Sequence, residues 1–541
     1  MLRGTMPDTG TRSRPFQVSR LVSHAPLLAV MACAAFVFCG SLPYFFSSDD
    51  FVALARARGF SAPLPAGWRW ISGVFYYTLM RPIGLNAVAY HVVSLLAHAS
   101  CAGLLFVLLS RRFSAPASTL GALFFGTHPA LYTAVYWVTS FGEILSLLFA
   151  LLCIAWAARP GVLAWTSVPL FTLSLLSKEV TLFLPAALWI SPGWLDGRGT
   201  LAAAEAGAPG RRMRVCIALS VAALAYLALW IWSDAFGIRT QLGPSAAYAT
   251  GTGRHVLDNA ATYIGWTTGM LLPTTRRFED VAEPDQWPWA AAVFALWLAG
   301  FLSARLRASG WLAGGATFAL LLAPVLGLRN HTYHYYLYAP LIGAAWCLAA
   351  LADAAFQPRA AAQPRAGDKR STGRFAPASG ARQAMAWGLT LCAGTLLVSN
   401  GALLVRKIEN MPFVDERLRA DPIVDRARIA RRVYDGLSAA SLPAGAHIVF
   451  WSPSSMRYER RLHPEADVIG KETYWERNVR AALQDGLAVR VMFPHVDTVE
   501  FQHAYRPVEA GARFALYDPD GTVSVETPAR VDSMLRAAAA R

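Results

Sequence analysis

Residues 84–109 read GLNAVAYHVVSLLAHASCAGLLFVLL. The run holds no Asp, Glu, Lys or Arg. A helix of about 20 apolar residues crosses the hydrocarbon of a bilayer, so this stretch is long enough to span. Comparable apolar runs occur at 25–46, 117–136, 143–158, 161–177, 180–195, 214–235, 288–304, 310–327, 336–353 and 385–405. The predicted fold class is a polytopic α-helical membrane protein of about 11 spans, with 12 or 13 as the alternative counts. A small C-terminal α/β extracytoplasmic domain follows. HVLDNAATYIGWTTGML, 255–271, carries His255, Asp258 and Asn259 at its start and is expected to be an interfacial or re-entrant helix.

Composition agrees. Of 541 residues, 55% are hydrophobic and 15% charged, where soluble chains carry about 25% charged residues. This excludes a simple cytosolic enzyme and a disordered chain. The seven cysteines all lie in apolar runs, with no CxxC and no Cys/His metal spacing. They read as small hydrophobes rather than a disulfide scaffold or a metal site.

The net charge of +15 is unevenly placed. Residues 411–541 hold 18 Lys and Arg against 18 Asp and Glu, so the whole excess belongs to the first 410 residues. There it sits in short connections between apolar runs, which is a topology signal rather than a nucleic-acid one. With the N-terminus inside, 1–24, 110–116, 159–160, 196–213, 305–309 and 354–384 face the cytoplasm. They carry more Lys and Arg than the outer connections do, over a shorter length. The expected organisation is a cytoplasmic N-terminus at 1–24, a transmembrane domain at 25–405 and a soluble extracytoplasmic domain at 411–541. Segment 356–384, rich in Pro, Ala, Gly and Arg, is expected to be a disordered cytoplasmic linker. The expected location is a bacterial-type inner or plasma membrane. The first run is too long for a cleaved signal peptide and reads as a retained span.

In the tail, PIVDRARIARRVYDGLSAA and TYWERNVRAALQDG are predicted helices. HIVFW, LAVRVMF and RFALYDPDGTVSVET are predicted strands, the last a hairpin about Asp-Pro-Asp-Gly. No glycine-rich phosphate loop and no nucleophile elbow is present.

Ionisable groups beside spans are costly and therefore informative. Asp49 and Asp50 follow the first span in YFFSSDDFVAL. Such a pair is a candidate general base and a candidate place for a divalent cation, Mg or Mn. Its structural alternative is the start of an interfacial helix capped by Ser47 or Ser48. His128 ends the third span and Glu143 opens the fourth. Lys178 and Glu179 form the connection in LLSKEVTLFLP, where a lysine is placed to neutralise a lipid phosphate. Arg329, His331, His334 and Tyr336 belong to GLRNHTYHYYLYAPLIG, a basic, aromatic rim suited to an anionic head on a sugar or isoprenoid. Its structural alternative is an aromatic belt with a snorkelling arginine. On the eleven-span topology all of these fall on one outer face.

In SSDD (47–50), RPIGLNAVAYHVVSLLAHASCAGLLFVLL (81–109), HPALYTAVYWVTSFGEILSLL (128–148), LLSKEVTLFLP (175–185) and YLYAPLIG (336–343), the chain resembles integral-membrane glycosyltransferases of the GT-C superfamily. It is most similar to the protein O-mannosyltransferase-like branch that includes the transmembrane and tetratricopeptide-repeat mannosyltransferases. The stretch with Tyr90, His91 and His98 is the most specific. The resemblance implies transfer of a sugar from a polyprenyl-phosphate-linked donor to an extracytoplasmic acceptor, be it protein, lipid or glycan. It implies that Asp49 or Asp50 is the catalytic base, and it supports Glu143, Lys178 and Glu179. The chain departs from the family pattern at Thr133, Phe141 and Tyr335, where the family often has Glu, Arg and Arg. Arg329 or His334 is left to supply the last charge. The tail lacks tetratricopeptide repeats.

The expected chemistry has Asp50 (or Asp49) deprotonate an acceptor hydroxyl, which attacks the anomeric carbon. The leaving phosphate is met by Lys178 and by Arg329 or His331. The bilayer is the expected surroundings and nucleic acid is not an expected partner. A transporter or flippase of lipid-linked sugars and an envelope-assembly scaffold are the alternatives. The former predicts ionisable residues at the midplane and related halves, neither of which the sequence displays.

Overall fold

The computed structural model describes residues 18–61, 69–159, 161–195, 209–232, 249–268, 286–356, 379–409, 422–462, 472–519 and 521–539. Each of the eleven apolar runs contains a helix. Among the described residues, four helices are long and apolar enough to cross a membrane: His24–Ser41, Ala87–Ser110, Val138–Ala157 and Arg212–Trp232. The other seven are shorter: Ala115–Gly126, Gly161–Ser177, Glu179–Ile190, Trp287–Leu302, Trp311–Leu326, Leu341–Ala355 and Leu391–Val405.

Helix Ala87–Ser110 lies at the centre. Tyr90, His91, Ser94, Leu95, His98, Cys101, Ala102, Leu105, Leu108 and Leu109 are buried, at the spacings of three and four that mark one helical face. The opposite face is just as apolar, with Val88, Val92 and Leu96 exposed. Apolar side chains all round a helix suit a protein core or a lipid surround, not water. His98 uses both ring nitrogens, Nδ1 with the Tyr338 hydroxyl at 2.7 Å and Nε2 with the Gly126 carbonyl at 2.9 Å. At Gly126 an added Cβ would lie 3.0 Å from the Ala34 and Ala102 methyl groups. Three helices therefore meet there at the distance only small residues permit.

Several expected boundaries are corrected. The run 117–136 is not one helix. Helix Ala115–Gly126 ends, His128 is extended (φ −66°, ψ 124°), and a tight turn Pro129–Leu131 leads to the short helix Tyr132–Tyr136. Proline disfavours the helical conformation in the residue before it, which accounts for the break. The first helix, Val18–Phe38, stops short of residue 46. Helix Ser379–Glu409 begins inside the expected linker, the rest of which, 357–378, lies outside the described residues. Helix Arg254–Trp266 occupies the predicted interfacial segment and buries Asn259, Tyr263 and Trp266.

The tail forms the predicted helices Pro422–Ala439 and Tyr474–Ala482. Its strands are β1 (Ala446–Trp451), β2 (Val496–Gln502), β3 (Arg513–Tyr517) and β4 (Val523–Glu526), in the order β2-β1-β3-β4. β1 is parallel to β2 and β3, and β3–β4 is the expected hairpin. LAVRVMF is not a strand but the helix Leu487–Met492. Its buried residues, 488, 489, 491 and 492, follow helical rather than alternating spacing. β2 was not anticipated. At the carboxyl end of β1, Asp518 accepts hydrogen bonds from the Ser452 hydroxyl (3.0 Å) and from the Ser454 amide (3.1 Å) and hydroxyl (2.8 Å).

Candidate active site

The site is built on the turn Ser47–Asp50. The Asp50 amide donates to the Ser47 carbonyl at 3.0 Å, and Ser48 has φ 50° and ψ −121°. This is the first central position of a type II′ turn, which glycine fills without strain and serine does not. The turn opens helix Asp49–Ala57.

The two carboxylates differ. Asp50 is buried. Its Oδ2 accepts the Ser47 amide at 3.0 Å, and its Oδ1 accepts both the Thr139 amide at 2.7 Å and the Thr139 hydroxyl. Burial outweighs these donors and pushes its carboxyl up to about 7. Asp49 is exposed to solvent, yet enough protein surrounds it for desolvation to raise it above the ordinary carboxylate value. The guanidinium groups of Arg426, Arg69 and Arg56 pull the other way.

Thr139 stands just before helix Phe141–Ala157, whose first turn presents Glu143. Lys178 Nζ meets Glu143 Oε1 at 2.6 Å, with side chains 8% and 0% exposed. Lys178 is a single extended residue (φ −165°, ψ 147°) between helix Ser167–Ser177 and the turn Glu179–Thr181. Its ammonium lies 4.5 Å from the ring centre of Tyr335 and 5.6 Å from that of Tyr336, within cation–π range. Gly142 lets these elements close up, because a Cβ there would come 3.0 Å from Ser72 Oγ and 3.2 Å from the Ser177 carbonyl.

Glu179 is gripped by Arg69 through two contacts, Nη2–Oε1 at 2.6 Å and Nε–Oε2 at 3.3 Å. Arg69 has φ 45°, another sparsely populated conformation for a non-glycine residue. The Ser72 hydroxyl, one turn on, donates to the Ser177 carbonyl at 2.6 Å and ties the Arg69 segment to the Lys178 connection. His331 Nε2 is 3.2 Å from the Tyr335 hydroxyl. Burial, with the charges of Lys178 and Arg69 adding to it, lowers His331 to about 3. It is neutral at pH 7 and offers a hydrogen bond, not the charge expected of it.

The structure thus gathers Asp49, Asp50, Glu143, Lys178, Glu179, His331 and Tyr336 about one end of the bundle. Three predicted residues sit elsewhere. His128 is fully buried, its Nδ1 accepting the Ala130 amide and its Nε2 3.2 Å from the Thr267 carbonyl. It shapes the chain break at Pro129. His334 stacks on Trp266 at 3.9 Å between ring centres. Arg329 is exposed beside Gly251, its amide bonded to the Ala249 carbonyl at 2.8 Å.

No family model matches the chain. No curated protein matches it either. Among solved structures, one similar to it is a crystal structure of the Archaeoglobus fulgidus oligosaccharyltransferase, tethered by a disulfide bond to an acceptor peptide containing the NVT sequon. The likeness covers 82% of this chain and 64% of that chain, at 11% identity and a TM-score of 0.38. The chain spans under two thirds of that protein's length, and so slight a likeness assigns neither family nor activity.

Arg69 and Thr139 escaped sequence reasoning. Arg69 had a signal, an arginine between Trp68 and Trp70 in a chain poor in charge. Thr139 had none, because its role depends on a backbone amide. The aspartate pair, a candidate place for Mg or Mn, offers a cation few open oxygens. Asp50 has its oxygens engaged by three donors, Asp49 faces guanidinium groups, and the described residues contain no group of three or more His, Cys, Asp or Glu that could hold a metal ion.

Proposed function

We propose that the chain is a GT-C-type membrane glycosyltransferase. It moves a sugar from a polyprenyl-phosphate-linked donor to an extracytoplasmic hydroxyl acceptor. One observation carries this reading. An accessible carboxylate, Asp49, shares one end of an apolar helical bundle with two ion pairs, Glu143–Lys178 and Arg69–Glu179. A base, cations for a leaving phosphate and an aromatic rim are what transfer from a lipid phosphate requires.

Asp49, rather than Asp50, is the base, because Asp50 has no solvent access and its oxygens are taken. Asp49 removes the acceptor's hydroxyl proton as its oxygen attacks the anomeric carbon. The bond to the phosphate oxygen breaks with inversion, and the polyprenyl phosphate leaves as an anion. Lys178 and Arg69 stabilise that charge while their carboxylate partners fix them in place. Asp50 holds the turn. The protein acts in the membrane with its tail domain outside the cytoplasm, in keeping with the loop charges.

The test is a deletion strain scored for lipid-linked sugar and envelope or protein glycans. Accumulated lipid-linked sugar with a missing glycan, restored by the wild type and not by Asp49→Asn, is the expected result. Lost export of the lipid-linked sugar to the outer leaflet, with transfer of supplied outer-leaflet donor intact, overturns it in favour of a flippase.

A further inference from the structure

Among the described residues, the hydrogen bonds and ring contacts between the tail domain and the membrane part fall on residues 44–58, the segment that brackets Asp49 and Asp50. Helix Pro422–Ala439 also packs on the short helix Tyr132–Tyr136. The Ser48 amide donates to the Ala482 carbonyl at 3.0 Å, at the end of helix Tyr474–Ala482. Arg58 Nη1 donates to the Val491 carbonyl at 2.6 Å. Phe45 lies 5.4 Å from Tyr434, ring centre to ring centre, with the Arg431 guanidinium 5.6 Å above Phe45. Arg428 reaches the Tyr44 hydroxyl at 3.5 Å.

The contacts meet a need of the turn itself. Serine at φ 50°, ψ −121° is a conformation that persists only where surrounding structure over-determines it. Within the membrane part, the turn has the Asp50–Ser47 bond and the Thr139 donors. The Ser48 amide, the group at the strained residue, finds its partner in the tail.

We propose that the tail domain is a clamp for the catalytic turn: the Ala482 carbonyl and the Arg58–Val491 contact hold Ser48 in a conformation its own side chain disfavours. Arg58 is a positioning residue that acts through the turn and touches no reacting group. Its catalytic consequence rests on the reading of Asp49 as base, whereas the clamp rests on the contacts alone. A tail displaced by a bound acceptor or partner would release the turn, so occupancy of the tail and readiness of Asp49 are linked.

Hydrogen–deuterium exchange on the full chain in lipid nanodiscs tests the clamp without any substrate. Arg58→Ala is expected to speed amide exchange across 44–51 at least about tenfold, the equivalent of about 1.4 kcal/mol. β1 should keep its protection. Arg58→Lys, still able to donate to Val491, should exchange within a few-fold of the wild type. Adding Ser48→Gly to Arg58→Ala should return slow exchange, because glycine needs no clamp at that φ. Unchanged exchange at 44–51 in Arg58→Ala, collapse of β1 with it, or no recovery on adding Ser48→Gly each overturns the proposal. Glycan formation by the same variants is read separately. If exchange behaves as expected while no variant alters glycan formation, the clamp stands and the reading of Asp49 as base fails.

Discussion

Lys178 and Glu143 meet at 2.6 Å with almost no solvent on either side chain. Two opposite charges withdrawn together are tolerable, but one left alone is not. Glu143→Gln should destabilise the protein by about 3–5 kcal/mol, because the Lys178 ammonium keeps its burial and loses its counter-charge. Glu143→Gln combined with Lys178→Met should recover most of that loss. Thermal unfolding in detergent, followed on the three variants, measures both effects. A single variant as stable as the wild type would contradict the buried pair.

The carboxylates should part company in kinetics. Asp49→Asn is expected to lower turnover at least about 100-fold, the ordinary contribution of a general base, with little change in thermal midpoint. Asp50→Asn should act chiefly on stability, costing about 1–3 kcal/mol by leaving the Ser47 amide and Thr139 donors poorly matched. Rates and melting curves taken on the same preparations separate the two roles. Equal loss of turnover with unchanged stability in both would remove the distinction.

Asp50 also sets a pH dependence. Its carboxyl is raised in the folded state to about 7, so between about pH 4 and 7 the folded chain holds a proton that the unfolded chain has released. Stability from this group is therefore present at low pH and lost as pH rises through 7. Relative to Asp50→Asn, the wild type should lose up to about 1 kcal/mol per pH unit across that window. Melting midpoints of the pair between pH 4 and 8 check the slope and its sign.

Arg69 grips Glu179 with two nitrogens, and lysine has no such fork. Arg69→Lys keeps the charge and loses the geometry. Turnover is expected to fall about tenfold, matching the loss of one charge-assisted hydrogen bond. Titrating the donor distinguishes a rise in KM from a fall in kcat, and activity equal to the wild type would show that the fork plays no part.

The helical runs, the tail hairpin and most residues of the candidate site were legible because they depend on local pattern: apolar length, turn residues and charge beside a span. The break at His128–Pro129 was legible in principle, since Pro129 stands in the sequence, but the apolar run concealed it. LAVRVMF resisted because six apolar residues in a stretch of seven fit either period. Arg69, Thr139 and the Ser48–Ala482 bond joined residues far apart in the chain, and no local pattern carries such pairings. Likewise, the difference between Asp49 and Asp50 arises from the Thr139 donors.

Asp518 closes one edge of the tail sheet. Parallel strands offer a crevice at their carboxyl ends, where sheets of this kind commonly take nucleotides. In this domain a carboxylate already occupies the turn after β1, holding the Ser452 and Ser454 donors that a phosphate would need. An incoming nucleotide would meet like charge and find those donors engaged. That edge of the sheet is thus closed to a phosphate group by the chain's own carboxylate.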